Sequence, residues 1–364
     1  MGINIMKIFG KEYTKTEILR KVGNISQIGG VRAYTLMDGS SSGTRAIDVN
    51  TGSGLMFTVL ADRGLDISRA FFNGASLCWN ASVGEVNPTF FDKDGLNWLR
   101  SMYGGLLITC GLTYMGAPCE DQGEALGLHG RYSNIPASNV SYNGEWQGDE
   151  YILSIKGSVR ESHLFGPNIV LNREISTKLG SSSISIKDNV INESFDETPF
   201  MILYHCNIGF PLLDENAQLY SKSKRVIIPE TKKEAKHEQY AKFLAPTHGF
   251  KDKVFYHNME PDADDYVSVI LANHNFGRGK GLGILQRYKA KNLPNYIQWK
   301  MCGEGAYILG MEPGNCHVEG RAKARKDGSL VILKPGESRD FHLELCVLSN
   351  NEEIQKTIST YGLR

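Results

Sequence analysis

Paired cysteine is missing from this 364-residue chain. Its seven cysteines, Cys78, Cys110, Cys119, Cys206, Cys302, Cys316 and Cys346, are scattered and never form a C-x-x-C pair. That spacing offers neither a disulfide framework nor a structural zinc site. An excess of one charge is also missing. Forty Lys and Arg balance forty Asp and Glu, so the broad basic face of a nucleic-acid binder is not there. The short basic runs Lys222 to Arg225 and Arg321 to Lys326 read as solvated loops or strand edges. No apolar run approaches the roughly eighteen residues of a membrane span. Met1 to Lys11 carries no basic segment leading into a long apolar core. A reducing cytoplasm, with no membrane partner, is the expected compartment. No hinge rich in Pro or Ser, internal repeat or low-complexity tract divides the sequence, so residues 1–364 are expected to form a single domain.

What the chain has in quantity is glycine, 39 residues, and short apolar runs within a hydrophobic content of 41%, ample for a core. Asp38-Gly39, Asn73-Gly74, Asp94-Gly95, Asn143-Gly144 and Asp327-Gly328 are turn dipeptides, and several lie between alternating segments. Tyr151 to Lys156 and Ile184 to Lys187 alternate, Tyr266 to Leu271 reads as a buried strand, and Leu330 to Leu333 precedes Pro335-Gly336-Glu337 and the period-two run Phe341 to Leu345 as a tail hairpin. Helix starts are few. Thr14-x-x-Glu17 is a capping box with Gly23 as its stop, and Ser349-x-x-Glu352 opens a helix that ends at Gly362. The pattern predicts an all-β protein, a large antiparallel β-sandwich with a helical edge at about 11–23 and a C-terminal helix at about 350–361.

Polar groups interrupt the apolar runs at a few places. In Gly127-Leu128-His129-Gly130-Arg131, glycines flank His129 and allow a ligand to approach closely. If the segment is extended, Arg131 shares a side with His129; the alternative is a capped turn with a surface arginine. The strand Phe200 to Tyr204 runs into His205-Cys206-Asn207, with His205 and Asn207 on one face. A partly desolvated His205 has a lowered pKa suited to proton transfer; the alternative is a core histidine satisfied by a carbonyl. Glu312 ends the apolar run Tyr307 to Met311 against Pro313, and a carboxylate held there is costly unless paired or used. Arg63, between Asp62 and Asp66, either contacts a substrate or is locked by those aspartates. Gln298 and Lys300 share one face of their strand and Trp299 takes the other, while Trp98 and Tyr103 are candidate walls or core. The glycine-rich Gly277 to Gly283 lacks phosphate-loop spacing and reads as a hairpin connection. Cys302, Cys316 and His317 lack the spacing of metal ligands.

Taken in order, these segments resemble a divergent branch of the galactose mutarotase-like (aldose 1-epimerase) superfamily. The resemblance is carried by Ala61-Asp62-Arg63-Gly64-Leu65-Asp66-Ile67, Gly104 to Leu112, Gly127 to Arg131 with Asn134-Ile135-Pro136-Ala137, Tyr204 to Gly209, and Met311-Glu312-Pro313-Gly314-Asn315, spanning roughly residues 25 to 348. It implies a sugar groove across one sheet of a β-sandwich, with His205 as general acid and Glu312 as general base across one bound sugar. It implies that His129 orients the ring-oxygen side and that Arg63, Arg131 and Asn207 are candidate substrate contacts; Gln298 is a further candidate on its strand face, and no cofactor or metal is expected. Arg131 after His129-Gly130, and Ile208-Gly209 after Asn207, depart from the mutarotase pattern, so galactose or glucose is not carried over as substrate. The expected activity is a sugar 1-epimerase acting as a monomer or homodimer. The alternatives are an aldose–ketose isomerase or other sugar epimerase on the same fold, and a non-enzymatic carbohydrate-binding protein.

Overall fold

Strands that alternate apolar and polar residues bury one face, and two large sheets here bury theirs against each other. The computed structural model describes residues 5–364. One sheet runs in the order Ser138–Gln147, Glu150–Ser162, Asn168–Lys178, Ser183–Asn192, Ser338–Leu348, Leu282–Lys289, Tyr266–Asn273, Ala217–Ser221. The second runs Lys233–Glu234, Ser223–Ile228, Lys253–Met259, Asn295–Cys302, Tyr307–Gly314, Thr198–Ile208, Val331–Leu333, with Ile108–Leu112 also paired to Thr198–Ile208. A five-stranded meander from Gly30–Thr35 to Ala75–Ser76 joins the second sheet through the bridges Ile67↔Leu107 and Cys78↔Ile208. One hydrophobic cluster threads all three layers, with Val59, Leu153, Ile186, Ile202, Ile284 and Leu309 among its members. This is the large antiparallel β-sandwich that the alternation predicts.

A single buried cation ties the layers together. Arg173 meets Asp66 Oδ1 at 2.6 Å and Asp188 Oδ2 at 2.7 Å, with all three side chains wholly buried. The Thr109 hydroxyl donates to Asp66 at 2.7 Å and the Tyr204 hydroxyl donates to Asp188 at 2.8 Å. Asp66 belongs to the meander, Arg173 and Asp188 to the first sheet, and Thr109 and Tyr204 to the second. Burial pushes the Asp66 carboxyl up to about 6, against the pull of Arg173.

Local expectations fare unevenly. Thr14 and Glu17 form the expected capping box, but that helix is short, Lys15–Leu19. The last helix, Asn351–Tyr361, ends at a left-handed Gly362 as expected, yet its cap lies one residue later: Asn350 accepts from the Glu353 amide. Asn143-Gly144 sits inside the strand Ser138–Gln147 rather than in a turn. The tail is not a hairpin. Val331–Leu333 pairs with Thr198 to Phe200 in one sheet, and Ser338–Leu348 pairs with Ser183–Asn192 in the other. The turn at Pro335-Gly336 therefore carries the chain from one layer to the next. The basic run at Arg321 is a helix, Arg321–Asp327, whose buried Arg321 is held by Asp121 at 2.7 Å.

Replacing Arg173 by Met leaves two carboxylates buried without a cation. Urea unfolding is expected to show a loss of about 3–5 kcal/mol, partly recovered when Asp66 and Asp188 are also replaced by Asn. A loss below about 1 kcal/mol in the single variant would remove Arg173 from its structural role.

Candidate active site

The strand Thr198–Ile208 lies between Ile108–Leu112 and Tyr307–Gly314 in the second sheet. Its register pairs Leu203 with Gly314 and Cys206 with Met311, which sets His205 directly across from Glu312. Their side chains meet, His205 Nε2 to Glu312 Oε1, at 3.3 Å, and are 5% and 2% exposed. On its other flank Glu312 pairs with Ile297, so Trp299, two residues along, faces the same way. Trp299 pairs with Gly310. A Cβ at position 310 would stand 2.0 Å from Glu312 Oε1 and 3.0 Å from the Trp299 Cβ. Only glycine leaves the carboxyl its place.

His129 reaches the pair from a loop. Its φ is +57° and that of Gly130 is +82°, so the segment is a left-handed turn and not extended. The Gly111 amide donates to the His129 carbonyl at 3.1 Å, and the Arg131 amide donates to the Gly111 carbonyl at 2.9 Å. A Cβ on Gly130 would lie 2.3 Å from that same carbonyl oxygen, which is why glycine stands there. Stitched in this way, the His129 ring sits 6.0 Å from that of His205. Trp98 stands edge-on to His129 at 4.9 Å, and Trp299 edge-on to His205 at 5.7 Å. Four aromatic rings thus form a file past the carboxyl. Leu203, Ile108, Ile297 and Met102 pack around it in a second apolar cluster.

Such surroundings penalise charge on every member. Burial pushes the Glu312 carboxyl well above the usual carboxylate range. Burial, reinforced by His129, brings His205 down to about 3, and burial brings His129 down to about 4. Buried polar atoms normally have partners, yet His129 Nδ1, His205 Nδ1, Asn207 Oδ1 and Glu312 Oε1 have none that meets hydrogen-bond geometry within the protein. A ligand rich in hydroxyls matches that set of unsatisfied groups.

Not every residue expected at the site is there. His205, Glu312 and His129 converge, and Asn207 shares their face, with its amide donating to the His205 carbonyl at 3.0 Å. Arg63 does not reach them. It is buried, and its guanidinium donates to the carbonyls of Ser133, Val86 and Ser101 at 2.6, 2.7 and 2.9 Å. Neither flanking aspartate holds it, since Asp62 pairs with Arg45 and Asp66 with Arg173. Arg131 is turned away by the left-handed bend at His129 and lines a separate small cavity with Glu124, Glu161, Arg321 and Arg325. Gln298 points to the opposite face of its strand, contacting His257 through its side-chain oxygen at 3.0 Å and donating to the Tyr240 carbonyl at 2.8 Å. Trp299 and Gly310 belong to the site instead. Strand parity placed Trp299 opposite Gln298, but the pairing of Ile297 with Glu312 is what says which side faces the carboxyl.

The acid and base were expected across a sugar from one another, and they are side by side. The arrangement is chemically sensible, because the anomeric hydroxyl and the ring oxygen of a hemiacetal hang from the same carbon. A cavity of about 500 Å3 opens along this sheet face, walled by Trp79, Leu99, Met102, Phe250, Trp299 and Met301. Its lining does not include His205 or Glu312; Trp299 borders both, its indole N–H donating to Asp252 at 2.9 Å. Among the described residues, no group of three His, Cys, Asp or Glu side chains is arranged to hold a metal.

This fold is that of galactose mutarotase-like proteins. A provisionally assigned aldose 1-epimerase from Klebsiella pneumoniae superposes over 99% of this chain and 94% of its own, with a TM-score of 0.84 at 22% identity. A galactose mutarotase-like protein from Clostridium acetobutylicum covers 89% of this chain and 99% of its own, with a TM-score of 0.62 at 11% identity. The galactose 1-epimerase of Lactobacillus acidophilus covers 89% and 100%, with a TM-score of 0.57 at 11% identity. Likeness at these identities establishes the fold. The chain belongs to the family described as a domain of unknown function, DUF4432, whose model matches residues 41–347. No curated protein matches it.

The two depressed histidines make stability depend on pH. Unfolded, each titrates near 6.5; folded, near 4 for His129 and 3 for His205. Between those values the unfolded chain binds more protons. Their contribution is complete above about pH 6.5 and drains away as pH falls toward the folded values. Glu312 and Asp66, whose folded values are raised, act in the opposite sense, so acidification from pH 7 to 5 is expected to lower the melting temperature of the wild type relative to that of the His129→Asn/His205→Asn double variant. An unchanged slope in that variant would contradict the assigned shifts.

Proposed function

We propose that this protein is a sugar 1-epimerase that interconverts the anomers of an aldose by acid–base ring opening. The observation that carries the reading is the buried contact of His205 with Glu312 beside His129. Glu312 takes the proton of the anomeric hydroxyl. The bond from the anomeric carbon to the ring oxygen breaks, and its electron pair leaves with that oxygen, which takes a proton from His205. Rotation about the bond from the first to the second carbon, then the reverse transfers, closes the other anomer. His129 and Asn207 hold the sugar through their unsatisfied atoms.

Ring opening starts from ionised Glu312 and protonated His205; ring closure starts from protonated Glu312 and neutral His205. Both forms carry one proton in total. Burial favours the neutral form, and hydroxyl donors on a bound sugar favour the ionic one, so the sugar itself readies the pair. Trp299 has to yield for a sugar to reach the pair, and a single side-chain hydrogen bond to Asp252 restrains its indole.

Anomer exchange measured by saturation-transfer NMR across a panel of aldoses tests the reading. Glu312→Gln and His205→Gln are each expected to lower kcat by about 10²–10⁴-fold. Gly310→Ala is expected to fold and to lose activity similarly, because the new methyl group takes the space of the carboxyl oxygen. Acceleration of no sugar, or full activity in both Gln variants, would end the proposal.

The rate of the wild type should fall as pH rises through the raised Glu312 value, where the pair loses its one proton. A rate that climbs steadily into the alkaline range would instead mark Glu312 as a lone base.

A further inference from the structure

We infer that the aldose taken is uncharged and carries an apolar substituent next to the ring oxygen, 6-deoxyhexoses being the simplest such class. The inference rests on the 1-epimerase reading and extends it to the substrate.

Three observations converge. The first is position. In a hexopyranose the exocyclic carbon sits on the ring atom adjoining the ring oxygen. With that oxygen at His205, the exocyclic group falls beside the imidazole, where Trp299 stands 5.7 Å away. Beyond Trp299 lies the cavity of about 500 Å3, within the range of about 300–1,000 Å3 common for small-molecule sites. Met301 and Ile308, paired across the sheet, continue its floor on the same face.

The second is chemistry. Most of the floor and walls are indole, phenyl, thioether and aliphatic groups, the polar lining residues Ser82, Lys251 and Asp252 being exposed to water. A hydroxymethyl placed there gives up hydrogen bonds to water and regains few, whereas a methyl group gains from burial. Asp252 is the acidic lining residue, and its Oδ2 already accepts from Trp299.

The third is charge. A sugar acid or sugar phosphate needs a cation turned toward the pair. Arg63 is spent on three backbone carbonyls, and Arg131 lines a different cavity. The Lys300 ammonium is buried against the carbonyls of Gln239 and Lys242. Lys251 is exposed and sits among the lining residues beside Asp252, so it is open to water and adjoined by a carboxylate. An anionic substituent would therefore be desolvated among apolar walls without a dedicated partner.

The test uses aldoses that differ only at the sixth carbon: methyl, hydroxymethyl, carboxylate and phosphomethyl, in the galacto, gluco and manno series. Anomer exchange and tryptophan-fluorescence binding are both read. The methyl sugar of at least one series is expected to show about tenfold or more higher kcat/KM than its hydroxymethyl partner, and tighter binding. Met301→Gln should erase that preference, bringing the methyl and hydroxymethyl sugars to comparable kcat/KM. Faster turnover or tighter binding of the carboxylate or phosphate sugars would overturn the inference while leaving the 1-epimerase reading standing. Preferential binding of methyl sugars without any exchange would do the reverse. Failure of all the sugars to bind would overturn both.

Discussion

A carboxyl and an imidazole meet at 3.3 Å inside a β-sheet, away from solvent, where burial disfavours charge on either. That constraint orders the rest of the site. It raises Glu312, lowers His205 and His129, and makes one proton the natural content of the pair. Exposed groups would stay ionised and solvated, with little tendency to exchange protons with a weakly acidic hydroxyl. Burial makes them responsive to whatever hydroxyls arrive, which is what proton transfer at neutral pH requires.

The sandwich positions these groups through register more than through loops. The pairing of Thr198–Ile208 with Tyr307–Gly314 brings together two residues separated by more than a hundred positions. Gly310 clears the space that the carboxyl folds into, and the Gly111–Gly130 contact draws the His129 loop onto the same sheet. Behind the site, Tyr204 and Thr109 turn to the opposite face of their strands and bind the Asp66–Arg173–Asp188 cluster. Alternate residues of Thr198–Ile208 therefore face the candidate site on one side and bind the layers together on the other.

Much of this was legible in the residues. Period-two alternation and turn glycines gave away an all-β sandwich, and breaks in apolar runs pointed to His129, His205 and Glu312. The misses share a cause: they depend on local backbone state or on register, which residue type alone does not carry. Arg131 follows His129 by two positions, but the left-handed φ at His129 sends it elsewhere. Arg63 was weighed between substrate and aspartate, and instead serves three backbone carbonyls that no local pattern reveals. Gln298 and Trp299 were correctly split between two faces, yet only the partner Ile297–Glu312 decides which face matters. Pro335-Gly336 looked like a hairpin because a turn between strands reads the same whether they share a sheet or change layers.

The most direct test is the titration of the Glu312 carboxyl in the folded protein, by infrared difference spectroscopy against Glu312→Gln. The account predicts that its protonated carbonyl band persists well above the ordinary value near 4.3, while His205 remains neutral. A carboxylate that ionises at the ordinary value, with His205 titrating near 6.5, would contradict it.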